Sequence, residues 1–201
     1  CFGQHGGLPF ATHIQTHAQD EVAIPVAGAL HITHELVHHA LQRGEVRVKV
    51  KATSVNRADL VQRLGNYPAP PDCPQNIPGL EFAGVVDAIG DGAGDWKTGD
   101  RVFGLCGGGS YAEYVVVHGR TLAPIPKSLT FEEAAAIPEV FITAFDALVS
   151  QMRLVSGDNV LISAVGSGVG TAAVQIVKAF GARSIGTSRT KDKLDQAKTI
   201  G

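Results

Sequence analysis

The chain has 201 residues, 44% of them apolar and 18% charged, with 17 basic against 19 acidic side chains. That apolar content excludes disorder as the main state, and the length is ample for a buried core. A formal net charge of −2 argues against nucleic acid or an anionic membrane as the main partner.

No apolar run reaches the roughly 18 residues that a membrane-spanning helix needs. The cysteines, Cys1, Cys73 and Cys106, are too few and too scattered for a disulfide framework or a four-cysteine zinc site. A reducing, cytoplasmic compartment is the expectation. The chain begins at Cys1, its only methionine is Met152, and no basic-then-apolar leader is visible. The reading is that of a fragment.

Residues 1–43 form an atypical opening that holds seven of the eight histidines. Within it, His34-Glu35-Leu36-Val37-His38 matches HExxH. On a helix the two histidines share a face and bind zinc, with Glu35 as general base. This zinc-peptidase alternative is remote: the segment is rich enough in histidine for a chance match, Gly44 ends any helix soon after, and no convincing third ligand follows.

From Gly44 the pattern becomes regular. Glu45 to Lys51 alternates Val46, Val48 and Val50 with polar neighbours, which predicts a strand with one buried face. Further strands are predicted at Ala83–Ile89, Arg101–Leu105 and Tyr111–Val117, separated by Gly- and Pro-rich turns. These predict a small β domain over residues 44–127. Thr130 and Glu133 have capping-box spacing, so a helix is predicted over Phe131–Val149, kinked or divided at Pro138.

Residues 128–201 then predict a partial dinucleotide-binding domain. Asn159–Ser163 reads as an apolar strand and Thr171–Phe180 as a helix ended by Gly181. Ala182–Thr187 reads as a strand and Lys191–Ile200 as a helix. The whole is α/β, with the opening of a doubly wound parallel sheet.

Between that first strand and helix lie Gly166, Gly168 and Gly170. Glycines let backbone approach a pyrophosphate, whose charge meets free N–H groups at a helix N-terminus. The spacing is G-x-G-x-G rather than G-x-G-x-x-G, so placement after a strand and before a helix carries the reading. At the end of the next strand an NAD site usually holds an acid. Here Ser188, Arg189 and Lys193 offer donors and positive charge suited to a 2′-phosphate, and Asp192 sits where it serves the next helix's dipole. The cofactor expectation is NADPH.

Several strings stand in order: SVNRADLVQRLGNY from Ser54, PGLEFAGVV from Pro78, WKTGDRV from Trp96, GGGSYAEYV from Gly107, EEAAAIPEVFITAFDAL from Glu132 and GDNVLISAVGSGVGTAAVQ from Gly157. Together they resemble the zeta-crystallin-like quinone oxidoreductases of the medium-chain dehydrogenase/reductase superfamily, most of all the p53-inducible group. The resemblance covers residues 44–201. It implies a GroES-like β domain, then a truncated Rossmann domain, and NADPH-dependent, zinc-independent reduction of a small quinone.

The resemblance further implies that Asn56 and Tyr67 line the nicotinamide and substrate cleft as catalytic residues, with Asn56 also touching cofactor. Thr143 lies near the nicotinamide, Ser167, Gly168, Val169 and Gly170 form the pyrophosphate turn, and Ser188, Arg189 and Lys193 hold the 2′-phosphate region. Val61 stands where some bacterial relatives have tyrosine. The zinc-dependent cousins need cysteine near position 56 and histidine near position 80; here stand Asn56 and Leu80, and Glu81 alone does not hold a catalytic zinc. No metal is expected. Relatives imply a homodimer for the full-length form. The alternatives are enoyl or alkenal reduction on the same scaffold, and a non-catalytic nucleotide-binding fragment.

Overall fold

The computed structural model describes residues 40–201, which fall into two compact units divided after Pro138. The HExxH match at His34–His38 lies outside the described residues.

The first unit is built on a five-stranded antiparallel sheet. Its strands are β1 (Glu45–Thr53), β2 (Glu81–Ile89), β3 (Arg101–Leu105), β4 (Tyr114–His118) and β5 (Leu122–Pro124), in the order β4-β1-β2-β3-β5. The valine alternation in β1 does what period two dictates: Val46 and Val48 are fully buried. Val48 is paired with Val86 on one side and Val115 on the other. Phe82, Val102, Val117 and Leu122 complete this core.

Two short helices flank the sheet, α1 (Arg57–Arg63) and α2 (Phe131–Ala135). Helix α2 carries the expected capping box: Glu133 N–H donates to Thr130 Oγ1 at 3.2 Å, and Thr130 N–H to the Glu133 carboxylate at 2.9 Å. Ala134 and Ala135 pack with Ala52, Ala83 and Ile125 of the β unit. Helix α2 therefore packs with the β unit, and the compact units divide after Pro138.

The expected helix over Phe131–Val149 is divided. Pro138 begins α3 (Pro138–Phe145), where its missing N–H costs nothing. A wider π-helical stretch, Asp146–Gln151, follows and ends with Met152 N–H bonded to Ala147 O at 3.0 Å.

The second unit holds two parallel strands, β6 (Asn159–Ile162) and β7 (Arg183–Gly186), joined through helix α4 (Gly168–Ala179). Helix α5 (Lys191–Ile200) follows. Parallel neighbours need such a crossover. Val160 and Ile162 enter a core with Val165, Val174, Val177 and Ala197. Gly181, at φ +68°, closes α4 as predicted, its N–H bonded to Lys178 O at 3.0 Å.

Two local expectations are corrected, and two elements are added. Helix α4 begins at Gly168, three residues before Thr171, because Ser167 caps it. Strand β4 begins at Tyr114 rather than Tyr111, because the Tyr111 side chain turns into a buried polar cluster. Helix α1 and strand β5 are additions: one is only two turns long, the other three residues ending in proline.

Candidate functional site

In the β unit the polar groups converge behind Asn56. Thr53, Ser54, Asp59, Glu81 and Ser110 are each at most 5% exposed. Asn56 Nδ2 donates to Glu81 Oε1 at 2.7 Å and to Ser54 Oγ at 3.2 Å. Ser54 Oγ–H donates to the same Glu81 oxygen. Asn56 is also the N-cap of α1, with its backbone N–H on Asp59 Oδ2 at 2.7 Å. Tyr111 Oη reaches both Ser54 O and Asp59 Oδ2 at 3.1 Å. Thr53 Oγ1 lies 3.0 Å from Ser110 Oγ and donates to Glu81 O at 2.7 Å. So dense a buried network fixes side chains that would otherwise rotate.

Gly79 lets the network close. It holds φ +103°, and a Cβ there would stand 2.9 Å from Tyr111 N. Burial pushes the Asp59 carboxyl above its ordinary value, against the opposing pull of the Asn56 N–H and the Tyr111 hydroxyl. Burial also raises the Tyr111 phenol, reinforced by the nearby Asp59 and Glu81 carboxylates.

A raised carboxyl binds its proton more tightly in the folded state, so its burden on stability is absent below 3.8 and grows as pH rises through the folded value. Asp59→Asn keeps an acceptor oxygen and removes the titration. Its stability relative to the parent is therefore expected to improve between pH 4 and pH 7. Urea unfolding at both pH values measures this; a difference that stays flat with pH would contradict it.

The second unit presents the glycine turn. Ser167 Oγ accepts from Gly170 N–H at 3.1 Å, and Ser167 N–H donates to Ala164 O at 2.8 Å. Ala164 holds φ +52°, an unusual state for alanine that marks a tightly determined turn. The bonds Val165 N–H to Thr187 O, 2.9 Å, and Thr187 N–H to Ile162 O, 3.0 Å, tie the turn to the end of β7.

Here the glycines are spatial requirements. A Cβ on Gly168 would stand 2.9 Å from Val140 Cγ1, and one on Gly170 2.6 Å from Ala164 O. A Cβ on Gly166 would stand 2.8 Å from Lys193 Cβ and Cδ, so the Lys193 stem lies along the turn. The glycines let Val140, the Ala164 backbone and the Lys193 stem pack directly on the turn. The first N–H groups of α4, on Gly168 and Val169, take no carbonyl of the described chain. The residues present thus fit a phosphate group.

The expected site residues distribute as follows. Ser167, Gly168, Val169 and Gly170 form the turn, and Lys193 reaches it from α5. Ser188 is half-buried and Arg189 exposed in the segment after β7, at the C-terminal end of the parallel strands. Thr143 is exposed on α3, three residues beyond Val140, which faces Gly168. Asn56 joins the buried cluster, with its amide N–H groups given to Glu81 and Ser54 rather than kept outward. Tyr67 stands apart from that cluster, 45% exposed in the bend after α1. Among the described residues no group of three His, Cys, Asp or Glu side chains is placed to hold a metal ion. No helix among them is long and apolar enough to cross a membrane.

Sequence reasoning passed over Ser54, Asp59, Ser110 and Tyr111. One signal was present: Asn56 and Asp59 have N-cap and N3 spacing.

Comparison with known proteins agrees with this architecture. Residues 42–127 match the alcohol dehydrogenase GroES-like domain. Human quinone oxidoreductase is 38% identical over 149 residues, 74% of this chain and 45% of that one. The crystal structure of Escherichia coli quinone oxidoreductase complexed with NADPH aligns with a TM-score of 0.70 at 33% identity, covering 79% of this chain and 48% of that one. A solved NAD-dependent alcohol dehydrogenase aligns at 0.71 with 41% identity, covering 79% and 54%. The chain spans about half the length of these relatives. A GroES-like sheet followed by a glycine-turn α/β unit, with matches across both, places the chain in the medium-chain dehydrogenase/reductase superfamily, with quinone oxidoreductases among its relatives.

Proposed function

We propose that this chain is part of an NADPH-dependent oxidoreductase that reduces small quinones without a catalytic metal. The observation that carries the cofactor reading is the Lys193 stem lying on Gly166, with Arg189 exposed in the segment after β7 and no acid in Gly186–Thr190. A 2′-phosphate would meet two cations there; a bare ribose hydroxyl would find no carboxylate acceptor in that segment.

The residues divide the work. Gly168 and Val169 offer N–H groups to the pyrophosphate, while Ser167 holds the turn that presents them. Arg189, Lys193 and Ser188 bind the 2′-phosphate. Thr143, on the helix whose Val140 faces Gly168, orients the nicotinamide, and the bound cofactor supplies the hydride. In the β unit, Tyr67 and the amide oxygen of Asn56, whose N–H groups go to Glu81 and Ser54, position the quinone. A quinone suits a site without a Lewis acid, because the reduced product is an aromatic phenolate. Asn56 and Leu80 replace the zinc-ligand types of the metal-dependent cousins, which supports the metal-free reading. The full-length form is assigned to the cytoplasm as a homodimer.

Titration of NADPH and NADH by nicotinamide fluorescence tests the cofactor reading. NADPH is expected to bind more tightly. Arg189→Ala should weaken NADPH by roughly 10- to 100-fold, the size of a charge-assisted contact, and leave NADH nearly unchanged. Equal losses for both would remove the 2′-phosphate argument.

A further inference from the structure

We propose that Cys73 and Cys106 are a modification site: a pair that a hydroperoxide joins into a reversible disulfide, fastening the loop over residues 69–77 to the glycine-rich segment after β3. This assignment stands independently of the cofactor and substrate reading.

The loop is a closed turn held by its own side chain. Gln75 Nε2 donates to Pro70 O at 2.7 Å and to Cys73 O at 2.9 Å, and Cys73 N–H donates to Pro70 O at 2.9 Å. It lies directly on Gly107, Gly108 and Gly109. A Cβ on Gly107 would stand 2.7 Å from Cys73 Sγ, and one on Gly109 3.1 Å from Pro74 Cγ. No side chain at residue 107 therefore separates Cys73 from the backbone that carries Cys106.

The two sulfurs sit beside consecutive amides, Cys73 beside the Gly107 N–H and Cys106 beside the Gly108 N–H. Both cysteines are free and only partly buried, so a small oxidant can reach them. Cys106 Sγ donates to Gly79 O at 3.4 Å and also meets the Gly108 N–H and the Ser110 side chain, all weak contacts for a thiol. Rotation about its Cα–Cβ bond exchanges these contacts for one with the loop.

The chemistry balances in two steps. The Cys73 thiolate attacks the peroxide, the O–O bond breaks, and sulfenic acid forms as one water or alcohol leaves with a proton. Cys106 sulfur then attacks the sulfenic sulfur, the S–S bond forms, and a second water leaves. Two electrons pass from the thiol pair to the peroxide. Burial raises both thiols, Cys106 to about 11. The reaction is therefore expected to accelerate about tenfold between pH 7 and pH 8, as the thiolate fraction grows.

Hydrogen peroxide is the probe. The folded chain is oxidised at pH 8, blocked with a maleimide and digested with trypsin without reduction. Cleavage after Arg63, Lys97, Arg101 and Arg120 places the two cysteines on separate peptides, 64–97 and 102–120. The expected product is these two peptides joined, released by dithiothreitol and absent from Cys73→Ser and Cys106→Ser. The urea-unfolded chain, where Cys1 competes freely, should give mixed pairs. Separate maleimide-labelled peptides from the folded chain, or the same mixture of Cys1 pairs as in urea, would overturn the assignment.

Discussion

Replacing Glu81 with alanine should lower the stability of the β unit by about 3 kcal/mol, the largest effect expected from a single change there. Glu81 is 1% exposed, and its Oε1 accepts from both Asn56 Nδ2 and Ser54 Oγ. Alanine leaves a buried hydroxyl and a partly buried amide without their acceptor, and opens a void. Each unmade polar contact costs about 1–3 kcal/mol, more than a made one returns. Glu81→Gln keeps one acceptor oxygen in nearly the same shape, so it should lose distinctly less.

Trp96 is the only tryptophan and lies in this unit, with its indole N–H on Gly119 O at 2.9 Å. Its fluorescence during urea unfolding reports the β unit directly. If Glu81→Ala unfolds within about 0.5 kcal/mol of the parent, the cluster is a solvated set of contacts rather than a structural centre.

The sequence made the regular elements legible where side-chain period decides them. Val46, Val48 and Val50 declare β1 because burial on one face requires alternation, although the pairing with β2 shifts register at Arg47/Val48 and Val50/Ala52, which the alternation does not foretell. The Thr130–Glu133 box and Pro138 declare where one helix starts and the next begins, since each acts on its own backbone neighbours. The glycine turn was readable for the same reason.

The cluster behind Asn56 was not readable in this way. Ser54, Glu81 and Ser110 are far apart in the chain, and only the antiparallel pairing of β1, β2 and β3 brings their strand ends together. Glu81 is an acid inside an apolar string, a local inconsistency that burial in a network resolves. Tyr111 looked like the start of a strand because aromatic residues favour strands. Its hydroxyl instead finds Asp59, and that tertiary bond outweighs the preference. The placement of Lys193 on Gly166 was equally hidden, because it needs the fold of α5 back across the turn.

Gly170→Val should break the glycine turn outright. Residue 170 lies in the first turn of α4, where a Cβ would stand 2.6 Å from Ala164 O and 2.8 Å from the Val165 carbonyl carbon. Both obstacles are backbone, and Ala164 already holds a demanding φ of +52°. Neither can yield as a flexible side chain would. The helix must move off the turn or the turn must open, and overpacking of this kind costs about 1–3 kcal/mol. Either movement also separates the Gly168 and Val169 N–H groups from the turn. Amide hydrogen exchange along α4 should therefore accelerate roughly 10- to 100-fold, with the Trp96 unfolding midpoint little changed. NADPH binding should fall below detection in the same sample. Gly170→Ala adds the same first carbon without the branch, so it should fall between parent and valine in both readouts. Unchanged exchange in both variants would mean that the backbone around Ala164 adapts freely, and that the glycine spacing does not define this turn.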